Sequence, residues 1–172
     1  ALLRNRFSFR TIQHSIRSGS LYALGLTAWG YTSGQSVTFY QAAKAVTPWK
    51  RAQRLGIPAE IGVGHLMASS AIPFIFPAVK LNREFFGDGS MRQLAPISPA
   101  LHLGADKVLI IGVRKPVTDE PKRVSVSGYP PFAQIAGHAL NSIFVDSLDV
   151  DLERLLRINE TLKLIPPAAF KE

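Results

Sequence analysis

Asp88 stands between two glycines in Gly87-Asp88-Gly89-Ser90, directly after the aromatic pair Phe85-Phe86. Neither glycine carries a side chain, so the backbone there can turn sharply and approach another segment closely, which is how a carboxylate is pushed against a partner group. Two roles suit that arrangement and both stay open on the residues alone: a general base held against a hydroxyl, or the turn residue of an ordinary Asp-Gly connection. An unperturbed Asp, with a pKa of about 3.9, is a weak base near neutrality. Partial burial beside Phe85 and Phe86 is expected to raise it. The serines do not complete a catalytic pattern by themselves. Ser36 follows Gly34 without a glycine two residues later, Ser69 and Ser70 lie one turn from His65, and no Ser sits in a G-x-S-x-G elbow. His14, His65, His102 and His138 are scattered along the chain, so neither a Ser-His-Asp triad nor a histidine metal site is expected. Asp146, Asp149 and Asp151 read as a solvated helix face, and the absence of cysteine excludes disulfides and thiolate metal sites.

The stretch Ala68-Ser69-Ser70-Ala71-Ile72-Pro73-Phe74-Ile75-Phe76-Pro77-Ala78-Val79, continued through Glu84-Phe85-Phe86-Gly87-Asp88-Gly89-Ser90 to Ser98-Pro99-Ala100-Leu101-His102-Leu103-Gly104-Ala105, resembles the carboxy-terminal half of the patatin-like lipid acyl hydrolases. The likeness is dense from Ile61 to Val113. It extends to Gly30–Phe39 and to the helix after Tyr129. In that family an Asp-Gly-Gly or Asp-Gly-Ala motif supplies the Asp of a Ser-Asp dyad, and Asp88 is the matching position. Ser90 stands where the family usually has Gly or Ala. The resemblance implies that Asp88 takes the proton of a serine whose alkoxide attacks an ester carbonyl, with backbone amides of a glycine-rich loop holding the oxyanion. Neither the nucleophile elbow nor that loop occurs within residues 1–172. The chain is therefore expected to be the carboxy-terminal part of a patatin-like domain, dependent on a missing amino-terminal half for its nucleophilic Ser. A lipid ester is the implied substrate, with no cofactor and no metal.

The elements that must position Asp88 follow from periodicity and turn signals. Arg10 to Arg17 reads as a short helix closed by Gly19, and Leu21 to Trp29 with Val37 to Tyr40 as a hairpin about Tyr31-Thr32-Ser33-Gly34. Pro48 is expected to open a helix that ends at Gly56. Ile61 to Val63 reads as a short buried strand, His65 to Ile72 as a helix stopped by Pro73, and Val79-Lys80-Leu81 with Glu84-Phe85-Phe86 as a hairpin about Asn82-Arg83. A helix leads from Pro99 to Gly104. The nearly all-apolar Lys107 to Val113 has the composition of a strand buried on both faces, which argues for an α/β fold with a parallel sheet between helices. The resemblance implies the same class: part of a three-layer patatin-like fold with a largely parallel central sheet. Arg114 to Gly128 reads as a solvent loop. Beyond Pro131, Phe144, Leu148, Leu152, Leu155, Ile158 and Leu162 make one apolar stripe on a long helix ended by Pro166-Pro167.

Charge is unevenly placed. The chain of 172 residues carries a formal charge of +8, and no Asp or Glu precedes Glu60, while Arg4, Arg6, Arg10, Arg17, Lys44, Lys50, Arg51 and Arg54 all fall in that first third. Such asymmetry points to an anionic partner or to an acidic domain elsewhere. Trp49 beside Lys50 and Arg51 fits a lipid headgroup boundary, so Arg4, Arg6, Arg10, Lys50, Arg51 and Arg54 are candidates for an anionic membrane surface. The rival to the hydrolase is thus a non-catalytic basic module on anionic lipid or nucleic acid. Nucleic acid is the weaker version, because aromatics are not interleaved with the basic residues in a stacking or groove-reading motif. Arg4, Arg6 and Arg10 interrupt any signal-peptide apolar region, and the longest apolar run, Ala71 to Val79, is too short to span a bilayer. A soluble chain, cytoplasmic or membrane-peripheral, is expected. Pro73 to Val79, close before Asp88, is a candidate lining for an acyl groove.

Overall fold

The computed structural model of the chain describes residues 8–44, 46–92, 95–111 and 129–166, with side chains described for these except 92 and 138–149. Six strands and four helices are ordered along them: α1 (Phe9–Arg17), β1 (Ala23–Gly30), β2 (Ser36–Ala42), β3 (Trp49–Arg51), β4 (Arg54–Pro58), α2 (Val63–Ser69), β5 (Val79–Leu81), β6 (Glu84–Asp88), α3 (Ser98–His102) and α4 (Phe132–Lys163). One sheet holds all six strands in the order β3-β4-β2-β1-β6-β5. The α/β class is as expected, but the sheet is not largely parallel. Only β2 and β4 run parallel, whereas β1–β2, β3–β4, β5–β6 and β1–β6 are antiparallel. The cause is connection length: β1–β2, β3–β4 and β5–β6 are joined by turns too short for a crossover, and a short turn returns the chain antiparallel.

β2 is central, and the two faces of the sheet alternate along it. Val37 and Phe39 pack with Ala28, Phe86, Ile61 and Ala68 into the buried core, which α1 closes through Phe9 and Ile12. Thr38 and Tyr40 occupy the opposite face, where the Thr27 and Thr38 hydroxyls lie 3.0 Å apart across the strand pair. Glu84 ties the sheet to its first hairpin, its Oε1 accepting the N–H groups of Thr32, at 2.8 Å, and Ser33. Gln41 Oε1 accepts the N–H of Ile61 at 3.1 Å, and its Nε2 donates to Gln13 on α1.

Several sequence expectations meet a different geometry. Pro48 opens no helix; residues 49–58 form the β3–β4 hairpin, with Gln53 at φ 57 in its turn. Gly56, read as a helix stop, is a strand residue. A Cβ there would lie 2.2 Å from the Trp49 ring, so the glycine makes room for the indole of its cross-strand neighbour. Ile61 is buried but joins no ladder, and α2 begins at Val63. Within Lys107 to Ile111 no strand forms; Leu109 and Ile111 are each 87% exposed, because no described strand lies beside them. The expected loop Arg114 to Gly128 lies outside the described residues. The long helix is present as α4; of its stripe, Leu152, Ile158 and Leu162 are exposed and Leu155 is half-buried, while the side chains of Phe144 and Leu148 lie outside the described residues. Asp151, expected to be solvated, is buried and accepts the backbone N–H of Ile97 at 3.0 Å, joining α4 to the segment before α3. Among the described residues no helix is long and apolar enough to cross a membrane.

Candidate active site

Asp88 is the last residue of β6 and pairs with Ala28 of β1. β6 ends there while β1 runs on past it, and the uncovered length of β1, Gly25-Leu26-Thr27, becomes one wall of a cleft. Ser69, Pro96, Pro99, Ala100 and Leu103 supply the other walls, Asp88, Gly89 and Ser90 complete the lining, and the cleft has a volume of about 530 Å³. The carboxylate is half-buried at its edge.

Three contacts hold it. The backbone N–H of Asp88 donates to Ala71 O at 3.0 Å, fastening the end of β6 to the chain leaving α2. The Oδ1 atom accepts the Ser90 N–H at 2.8 Å and also the Ser90 hydroxyl. Oδ2 has no hydrogen-bond partner among the described residues. Such an Asx-type turn fixes the plane of the carboxylate while leaving one oxygen to accept a further proton. Ser90 is thus a hydrogen-bond partner of Asp88 itself.

The glycines act through space rather than through unusual backbone angles. Neither Gly87 nor Gly89 has a positive φ. A Cβ on Gly89 would stand 2.1 Å from Thr27 O, against strand backbone, whereas one on Gly87 would meet the Tyr31 hydroxyl at 2.5 Å. Close approach to β1 is therefore the requirement at Gly89, and it is what brings Asp88 to the cleft.

Of the serines, the structure brings Ser69 into the Asp88 cleft and turns Ser70 away, its Oγ donating to Leu66 O at 2.9 Å. Ser36 is buried in β2. His65 belongs to the core: its ring meets Phe39 edge-on at 4.9 Å and its Nδ1 accepts the Gly62 N–H at 3.2 Å. Burial lowers its pKa below the ordinary 6.5, keeping that acceptor free of a proton. His14 is exposed on α1, and the side chain of His138 is outside the described residues. No cluster of three or more metal-ligating residues occurs among the described residues. Phe74, Ile75 and Phe76 do not line the Asp88 cleft; they project outward, with Phe74 95% exposed at φ 67.

The basic residues fall in two places. Arg10 and Arg17 are exposed on α1; Arg4 and Arg6 lie outside the described residues. Lys50 and Arg51 are exposed on β3, paired with Leu55 and Arg54 of β4. Trp49 is not the surface anchor expected of it. It is buried in a stack between Tyr40, 5.2 Å away, and His102, 4.7 Å away, both rings nearly parallel to the indole. The Tyr40 hydroxyl donates to Val46 O at 2.7 Å. That stack, assembled from β2, β3 and α3, has no signal in any local sequence window. No protein family, no curated protein and no solved structure matches the chain.

Proposed function

We propose that this chain supplies the base of a patatin-like, Ser-Asp lipid acyl hydrolase, with Asp88 Oδ2 receiving the proton of a serine carried by a segment outside residues 1–172. The observation that carries the proposal is the geometry of Asp88: a half-buried carboxylate at the edge of a 530 Å³ cleft, oriented by Ser90 through one oxygen, with no hydrogen-bond partner on the other among the described residues. In this reaction Oδ2 takes the hydroxyl proton as the serine oxygen bonds to the ester carbonyl carbon. The same proton then passes to the departing alcohol. Leu26, Pro96, Pro99, Ala100 and Leu103 in the cleft walls offer apolar surface to an acyl chain. Asp88 lies on the sheet rather than on a loop, which limits its freedom to move from the serine.

The test is Asp88→Asn in a protein complemented with the nucleophile-bearing segment. Asn keeps the size and turn-forming tendency of Asp but takes no proton, so turnover of an acyl ester should fall about 10²-fold to 10⁴-fold, the usual worth of a positioned general base. The thermal midpoint should stay in place. Near-normal turnover in that variant removes Asp88 from the mechanism and leaves it as a turn residue. The second reading, a non-catalytic basic module, draws its support from the exposed Lys50 and Arg51.

A further inference from the structure

A second cleft, also of about 530 Å³, opens beside β3 and is lined by Tyr22, Thr47, Trp49, Lys50, Arg51 and His102, among others. We propose that it is a discrete binding site for a phosphate group, separate from the Asp88 cleft.

The charge set is the first argument. Lys50 and Arg51 of β3 both line the cleft, and Arg54, the cross-strand partner of Arg51, stands just outside it, so three cations fall within one end of the hairpin. No Asp or Glu lines the cleft, and none of the three has an ion-pair partner among the described residues. Cations crowded without a counter-charge repel one another, and a bound anion relieves that cost. The positive field reaches His102, whose pKa is held below the ordinary 6.5 by burial first, then by Arg51 and Arg54. The guanidinium of Arg51 uses one N–H on Lys50 O, at 3.2 Å, leaving its other donors for a ligand.

Shape is the second argument. Lys50 and Arg51 line a cleft together with the stacked Trp49–His102 pair, rather than standing apart from any concavity. A phosphate monoester carries roughly 1.5 to 2 negative charges near neutrality and three acceptor oxygens, so it can engage several donors at once where a carboxylate engages fewer. The apolar parts of Tyr22, Trp49 and Leu103 offer a surface to an alkyl chain attached to that phosphate. Leu103 also lines the Asp88 cleft, and Tyr22 precedes Gly25 of that cleft by three residues, about 10 Å of extended chain. The inference stands apart from the role given to Asp88.

The experiment titrates the 172-residue chain with hexyl phosphate, inorganic phosphate and hexanoate by calorimetry at low salt, where screening is weak. Hexyl phosphate should occupy one saturable site, weakened about tenfold by Arg51→Gln and by Lys50→Gln, each the loss of one charge-assisted contact. Both side chains are exposed, and thermal midpoints confirm that the variants fold. Arg17→Gln on α1 and Asp88→Asn, neither of which lines the cleft, should leave binding unchanged, so failure here and failure of the hydrolase reading are read separately. Tighter binding of hexyl phosphate than of inorganic phosphate assigns the site to an amphiphile such as a lipid headgroup; equal binding assigns it to free phosphate. Hexanoate binding as tightly as hexyl phosphate, no saturation by about 10 mM, or an equal loss in Arg17→Gln overturns the proposal.

Discussion

Replacing Gly89 by alanine tests the close approach that sets Asp88 in place. The added Cβ would stand 2.1 Å from Thr27 O, 2.6 Å from Thr27 C and 3.2 Å from Ala28 N, all backbone of β1. Contacts below 3.0 Å are not sustained, so the end of β6 or the strand must move by about 1 Å in a closely packed region where Ala28 is fully buried. Overpacking of that kind costs about 1–3 kcal/mol, partly offset by the 0.4–1 kcal/mol or so that alanine contributes by restricting the unfolded chain. Breaking the Ala28–Asp88 pairing adds to the loss, giving a net cost of about 2 kcal/mol. For a domain of this size that lowers the thermal midpoint by about 4–8 °C. Gly87→Ala is the control. The nearest neighbours of its Cβ are the Tyr31 hydroxyl, Cζ and Cε2 at 2.5, 2.9 and 3.0 Å, all on the far end of an exposed side chain that can swing away, so the midpoint should move by less than about 2 °C. Thermal unfolding followed by circular dichroism on both variants, side by side, decides the matter. Equal midpoints in the two variants, or a Gly89→Ala protein as stable as the parent, would refute the claim that Gly89 is required by space.

The 172-residue chain by itself should hydrolyse no chromogenic acyl ester, since no G-x-S-x-G elbow or glycine-rich oxyanion loop occurs in it, and adding the nucleophile-bearing segment should restore turnover. Saturable turnover by the chain alone would sink this, and Ser69→Ala and Ser90→Ala would identify the hydroxyl responsible. Asp151→Ala should cost about 1–3 kcal/mol by leaving the buried Ile97 N–H without its acceptor, while Asp151→Asn, which keeps an acceptor, should recover most of it in the same melting assay. Stability should also depend on pH through His65 and His102. Both have folded pKa values below 6.5, so the unfolded chain binds protons more readily; their contribution is complete above pH 6.5 and is lost as pH falls through the folded values. A midpoint that stays level from pH 7 down to about 5, or a His102→Gln variant with an undiminished slope, contradicts that linkage.

Local pattern carries information only where the determinant is local. The β1–β2 and β5–β6 hairpins, α1, α2, α3 and the long α4 were all readable because alternation, helical spacing and turn residues lie within one window of sequence. The close approach beside Asp88 was readable too, since glycines flanking a carboxylate announce one, although the sequence could not say that Gly89 makes it to Thr27 of β1 or that Ser90 would bind the carboxylate. What the tertiary structure alone decided depends on partners far along the chain. Pro48 to Gly56 carries helix start and stop signals, yet it forms strands because Trp49 fits over Gly56 and stacks between Tyr40 and His102. Lys107 to Ile111 has the composition of a buried strand, yet a ladder needs a neighbour and none of the described strands lies beside it. Asp151 looked like one more charge on a helix face until the Ile97 N–H was found against it. The direction of the sheet followed the same logic: apolar composition marks a strand as buried, but the short turns on either side of it determine which way its neighbours run.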